Sequence, residues 1–85
     1  MVTGRVDVRI GKRGVHSNVV KEIMRILDRK GIVKVRFLKS AVQDRDFDDV
    51  LSELIKKISM QNKLIKIADV RGRVVVLYKE RKKSH

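Results

Sequence analysis

The chain has 85 residues, room for one domain with a modest core. It is 42% apolar, which excludes a low-hydrophobicity disordered chain, and carries 22 Lys+Arg against 10 Asp+Glu, a formal charge of +12. No cysteine means no disulfide framework, thiolate zinc site or Cys nucleophile, and no apolar run nears the ~18 residues of a membrane span, so a cytoplasmic setting is expected.

Arg5 to Ile10 alternates, with Val6, Val8 and Ile10 on one face and Arg5, Asp7 and Arg9 on the other. That period predicts a half-buried strand. Gly11-Lys12-Arg13-Gly14 breaks it. Val19, Val20, Ile23, Met24 and Leu27 then recur at steps of three and four, predicting an amphipathic helix over 17–30. Ser17 is the better N-cap candidate beside His16. Gly31 follows the last turn, where helices commonly end in a left-handed residue.

Ile32 to Leu38 is β-rich, with Val33, Val35 and Phe37 facing one way and Ile32, Lys34, Arg36 and Leu38 the other. It reads as a central strand, followed by a polar loop over 39–46. Phe47, Val50, Leu51, Leu54, Ile55 and Ile58 predict a second helix over about 46–59. Asp44, Asp46, Asp48 and Asp49 stand at its start and Lys56 and Lys57 near its end, matching the helix dipole. Leu64 to Asp69 reads as a third strand, Arg71-Gly72 as a turn, and Val74 to Tyr78 as a fourth strand. Its three consecutive valines suggest burial on both faces.

The order is β-α-β-α-β-β. Right-handed crossovers should make the first three strands parallel, and the short Arg71-Gly72 link demands an antiparallel hairpin. The expected fold is an α/β two-layer sandwich (α+β in kind): a four-stranded mixed sheet, last strand antiparallel, with two helices packed on it. Residues 1–80 form the single domain and 81–85 a basic tail.

The positive charge is segregated. Residues 1–38 carry a net +7, residues 39–60 a net −1 and residues 61–85 a net +6. A polyanion footprint follows if the fold brings the two ends to one face. By topology it should, because the carboxyl ends of the first three strands share an edge. The 11–14 loop, Lys39 and Arg71-Gly72-Arg73 then lie together. Arg5 and Arg9 on the first strand, Lys34 and Arg36 on the second, and Lys21, Arg25 and Arg29 along the first helix would extend the basic track.

The 11–14 loop carries the chemistry. Glycine permits positive φ and close approach of backbone to a ligand. The helix N-terminus behind it offers free N–H groups and a partial positive charge. Lys12 and Arg13 flank a cradle suited to phosphate. A P-loop needs four residues between its glycines, and a dinucleotide fingerprint needs a third glycine where Ser17 stands. A KH clamp expects an apolar residue at that same place.

Ile10-Gly11-Lys12-Arg13-Gly14-Val15, Asn18-Val19-Val20-Lys21-Glu22-Ile23, Ile32-Val33-Lys34-Val35 and Gly72-Arg73-Val74-Val75-Val76-Leu77-Tyr78-Lys79, in this order, resemble the CRM domain. This is the chloroplast RNA splicing and ribosome maturation domain, of which bacterial YhbY is the single-domain form. The resemblance covers about residues 5–80. It implies an RNA-binding domain related in fold to the C-terminal domain of translation initiation factor three, with the family's loop on Gly11, Lys12, Arg13 and Gly14. It also implies a link to large ribosomal subunit assembly, with ribosomal RNA or a pre-ribosomal particle as partner. Three departures point to a divergent, archaeal-type member: no extra N-terminal helical segment, Lys30-Gly31 in place of His-Glu, and His16 in place of Thr.

Other constellations are weaker. Asp44-Arg45-Asp46-Phe47-Asp48 begins like a calcium loop but has Asp49 and Ile55 at the positions needing Gly and Glu, so helix capping is the better reading. His16 and His85 are too few and too far apart for a metal site. Phe37 and Phe47 lie on core periodicities and Tyr78 reads as a half-buried core residue, leaving no aromatic platform for bases. No catalytic constellation is visible, so no enzyme activity, cofactor, membrane or small-molecule substrate is expected. The expectation is a monomeric RNA-binding protein whose contacts are Arg5, Arg9, Gly11, Lys12, Arg13, Gly14, Lys21, Arg25, Lys39, Arg71 and Arg73. The alternative is a sequence-nonspecific DNA- or chromatin-binding protein.

Overall fold

The structure, a computed structural model, describes residues 6–80. Arg5 and the basic tail of 81–85 therefore lie outside the described residues. The elements are β1 (Val8–Ile10), α1 (Ser17–Lys30), β2 (Ile32–Phe37), a 3-10 turn (Lys39–Val42), α2 (Phe47–Gln61), β3 (Ile65–Arg71) and β4 (Val74–Lys79).

The four strands form one sheet in the order β1-β2-β4-β3. β1 pairs parallel with β2, while β4 pairs antiparallel with both β2 and β3. So β1, β2 and β3 run the same way and β4 runs back between β2 and β3. The expected α+β sandwich with an antiparallel last strand is what forms. The Arg71–Val74 hairpin turns on Gly72, at φ 57.

The core lies between one sheet face and the two helices. Val8 and Ile10 from β1, Val33, Val35 and Phe37 from β2, and Val75 and Leu77 from β4 are buried against Val20, Ile23 and Leu27 of α1 and Val50, Leu54 and Ile58 of α2. Outside β4 these are the positions picked out by the periods of 2 and 3.6, because only those spacings keep apolar side chains on one face of a strand or helix. Phe37 meets Phe47 edge to face at 5.2 Å between ring centroids. Asp7 clasps β1 to its neighbours: its carboxylate accepts from the Lys34 backbone N–H at 2.9 Å and from Lys30 Nζ at 3.0 Å.

Several local expectations are corrected. The N-cap of α1 is His16, with Ser17 the first helical residue. The extended backbone of His16 (φ −106, ψ 172) opens the helix, and Val20 N donates to its carbonyl. The 39–46 stretch is not wholly loop, because Ala41 is buried under a 3-10 turn that Leu38 and Ala41 close. α2 continues to Gln61, which leaves Lys56 and Lys57 short of its last turn. Asp46 caps α2 through its backbone carbonyl, which accepts from Asp49 N and Val50 N, rather than through its side chain. The Val74–Val76 run is not buried on both faces: Val75 is in the core while Val74 and Val76 stay half-buried on the helix-free face. Both helices lie on one side, so the other face has no covering layer among the described residues.

Candidate nucleic-acid interface

Gly11-Lys12-Arg13-Gly14 folds as a tight turn. Gly14 N donates to Gly11 O at 2.8 Å, which throws Lys12 and Arg13 out at its two corners, both exposed. Gly14 sits at φ 71, a conformation that L side chains rarely adopt. Gly11 is different. Its φ is not positive, and a Cβ there would meet Ser40 Oγ at 3.6 Å and Leu38 Cδ1 at 3.7 Å, ordinary contact distances. The glycine requirement expected of both positions thus falls on Gly14 alone.

The turn is held from both sides. Leu38 N donates to Ile10 O at 2.8 Å, fastening the β2 exit to the β1 exit. On the helix side Lys57 Nζ donates to Val15 O at 2.6 Å. Lys57 is itself paired with Glu53 at 3.2 Å, and Glu53 with Arg45 at 2.6 Å. Hydrogen bonds from Arg45 and then Lys57 hold the Glu53 carboxyl below its ordinary value of 4.5. Sequence reasoning missed Lys57 as a support for the turn. Its i, i+4 spacing from Glu53 was visible, but an acceptor 42 residues away leaves no local pattern.

The strand ends bring the basic groups together. Ile10 aligns with Phe37, Phe37 N donates to Arg73 O at 2.8 Å, and Arg71 aligns with Val74. The 11–14 turn, Lys39 and the Arg71-Gly72-Arg73 turn are therefore neighbours along one edge. Lys12, Arg13, Lys39 and Arg71 are exposed and Arg73 is half-buried. Arg71 Nε is paired with Asp69 at 3.1 Å. Behind the turn, no acidic residue occupies the first turn of α1, so the partial positive charge of that helix end is left uncompensated by side chains.

Lys21 and Arg25 are exposed one and two turns further along α1, over the groove between α1 and α2, and Arg25 pairs with Glu22 at 3.3 Å. They extend the basic surface along the helix instead of standing at the strand-end edge. Arg9 is exposed on the helix-free face of the sheet, aligned with Arg36. Such an assembly of surface cations, one hydrogen-bonded turn and a helix N-terminus can neutralise several phosphates of a polyanion and orient one of them.

Comparison with known proteins agrees over almost the whole chain. Residues 4–79 match the family model described as the CRS1 / YhbY (CRM) domain. A Bacillus subtilis (strain 168) protein named "Probable RNA-binding protein YqeI" is 32% identical over 76 residues, covering 89% of this chain and 72% of its own. The solution structure of the hypothetical protein SAV1595 from Staphylococcus aureus, described as a candidate RNA-binding protein, superposes with a TM-score of 0.62 at 26% identity. That match covers 96% of this chain and 78% of the other.

Proposed function

The chain belongs to the CRS1 / YhbY (CRM) domain family, and from that premise we propose that it binds RNA, gripping the sugar–phosphate backbone with the Gly11–Gly14 turn. The observation that carries the reading is the position of that turn. It holds two exposed cations at its corners, at the same sheet edge as Lys39, Arg71 and Arg73. Gly14 supplies the positive φ, and the N-terminus of α1 adds its partial charge to the phosphate cradle. Arg9 prolongs the track across the sheet, and Lys21 and Arg25 prolong it along α1. The protein acts by binding, as a monomer in the cytoplasm, during assembly of the large ribosomal subunit. Its RNA partner is ribosomal or pre-ribosomal.

Competition between structured RNA and duplex DNA of equal length at ~150 mM salt tests the nucleic-acid choice, since +12 alone would attract either. RNA should be preferred, and a clear DNA preference would replace this reading with the chromatin-type one. The double variant Lys12→Ala/Arg13→Ala tests the turn. It should fold normally and flatten the dependence of log affinity on log salt by about one to two units, one phosphate per cation. An unchanged affinity and slope would remove the turn from the interface.

A further inference from the structure

The helix-free face of the sheet has a definite chemical pattern. Pairing register places residues of neighbouring strands in rows across it. The row nearest the 11–14 turn reads Arg9, Arg36, Val74, Arg71. At about 4.8 Å per strand this puts three guanidinium side chains within roughly 14 Å. The middle row reads Lys34, Val76, Asp69, and the far row Ile32, Tyr78, Lys66. Arg9, Arg36, Lys66 and Arg71 are exposed, Ile32 is 46% exposed, and Val74, Val76 and Tyr78 are half-buried. No described carboxylate lies within ion-pair distance of Arg9, Arg36 or Lys66.

Tyr78 differs from the other two aromatics. Phe37 lies in the core and Phe47 packs against it edge to face. Tyr78 points the opposite way from its buried neighbour Leu77, and among the described residues no hydrogen bond ties its hydroxyl. A half-exposed ring between Ile32 and Lys66, on a strip of valines flanked by cations, fits an extended strand that offers both a base to stack and phosphates to neutralise. The cations Arg9, Lys34, Arg36, Lys66 and Arg71 against the one carboxylate of Asp69 favour a polyanion over a basic partner.

We infer that this face is a second contact surface for the same RNA: it receives a single-stranded segment leaving the Gly11–Gly14 edge, with the Arg9–Arg36–Arg71 row on its phosphates and one base stacked on Tyr78. The inference rests on the RNA-binding reading above and adds to it where an unpaired strand runs and what part of it is recognised.

Tyr78 is the sole tyrosine and the chain has no tryptophan, so tyrosine emission reports this site alone. The intact protein is titrated with an unstructured oligo-uridine of about ten nucleotides and, separately, with a blunt RNA hairpin. Binding is read in parallel by anisotropy of labelled RNA. The oligomer should quench the emission saturably at the same midpoint as the anisotropy, and the hairpin should quench less. Tyr78→Leu should weaken oligomer binding roughly tenfold. Tyr78→Phe should retain it, and Arg36→Gln, a surface change that leaves the core intact, should weaken it and lower the salt slope by about one unit.

The inference is overturned if the oligomer binds with tyrosine emission unchanged and Arg36→Gln binds like the parent. Should Lys12→Ala/Arg13→Ala still weaken binding in that case, the RNA-binding reading survives without the sheet face. Emission that changes with protein concentration in the absence of RNA, together with dimers in sedimentation, would assign the face to a second copy and equally overturn it. Failure of every RNA to bind would remove both readings.

Discussion

Gly14 stands at φ 71 with open space where a side chain would begin, whereas Gly11 has ordinary backbone and two neighbours at van der Waals distance. Substitution should separate them. Gly14→Ala is strained by backbone conformation alone and should lower stability by about 1–2 kcal/mol. Gly11→Ala meets Ser40 and Leu38 at normal contact and should change stability by no more than about 0.5 kcal/mol. Thermal unfolding of the two variants checks the order, and the reverse order would mean that packing against the β2 exit governs this turn. The pattern of two glycines around two cations was plain in the sequence. Which glycine is obligatory was not, because a bare residue name does not carry φ. Tyr78 makes the same point from another side. Near the end of a strand expected to be buried on both faces, it reads as a half-buried core residue, but the structure puts it half-buried on the face opposite the helices. Only the row shared with Ile32 and Lys66 shows which way it looks.

At the scale of elements, the short β1 needs its side contacts. Only three residues pair with β2, so the Asp7 clasp to Lys34 N–H and Lys30 adds much of the attachment before the strand begins. Burial alone would raise the Asp7 carboxyl, but the Lys34 N–H and the Lys30 ammonium outweigh it and hold the group below its ordinary value of 3.8. A carboxyl depressed in the folded state stabilises the fold above its unfolded value and loses that contribution as pH falls through the folded one. Asp7→Asn should therefore be less stable than the parent near neutral pH. The gap should close as pH drops below 3.8 toward the lowered folded value, as followed by urea unfolding across that range. A gap that stays constant into acid would mean that the clasp works through shape and not charge.

The second inter-element tie is Lys57 on α2 to the Val15 carbonyl after the turn. Lys57→Met keeps the apolar stem and removes the donor. It should lower stability by about 1 kcal/mol and weaken RNA binding by loosening the turn, while K56A on the exposed side of α2 should do neither. Helix positions themselves were legible in the sequence because a 3.6 period is a local property. Helix ends were less so: α2 runs on through Met60 and Gln61, which have the propensity to continue though Met60 is exposed and adds nothing to the core.

Across the whole molecule the segregated charge becomes a surface. Arg71 and Arg73 of the last third meet Lys12, Arg13 and Lys39 along one sheet edge because β3 ends and β4 begins where β1 and β2 end, while Lys66 and Lys79 lie at the opposite end of the sheet. If about six cations (Arg9, Lys12, Arg13, Lys39, Arg71 and Arg73) each neutralise one phosphate of a single strand, log affinity should fall with log salt at a slope of roughly −4. A slope shallower than about −2 would mean that only the turn is engaged. Titration of affinity between low and moderate salt measures it directly.

By itself the sequence determined the two helices and four strands, their order, the buried faces of α1, α2, β1 and β2 and the turn at 11–14, since each follows from spacing along the chain and from side-chain chemistry; the burial of Ala41 and the one-sided burial of β4 were decided by tertiary packing. It also implied that the first three strands share a direction. It did not determine that β4 lies between β2 and β3, because pairing partners are chosen by which strands can bury apolar faces and close hydrogen bonds at once, a contest among segments far apart in sequence. That choice alone sets Arg36 and Arg71 on either side of Val74 and Tyr78 between Ile32 and Lys66, turning scattered cations into rows on the sheet face opposite the helices.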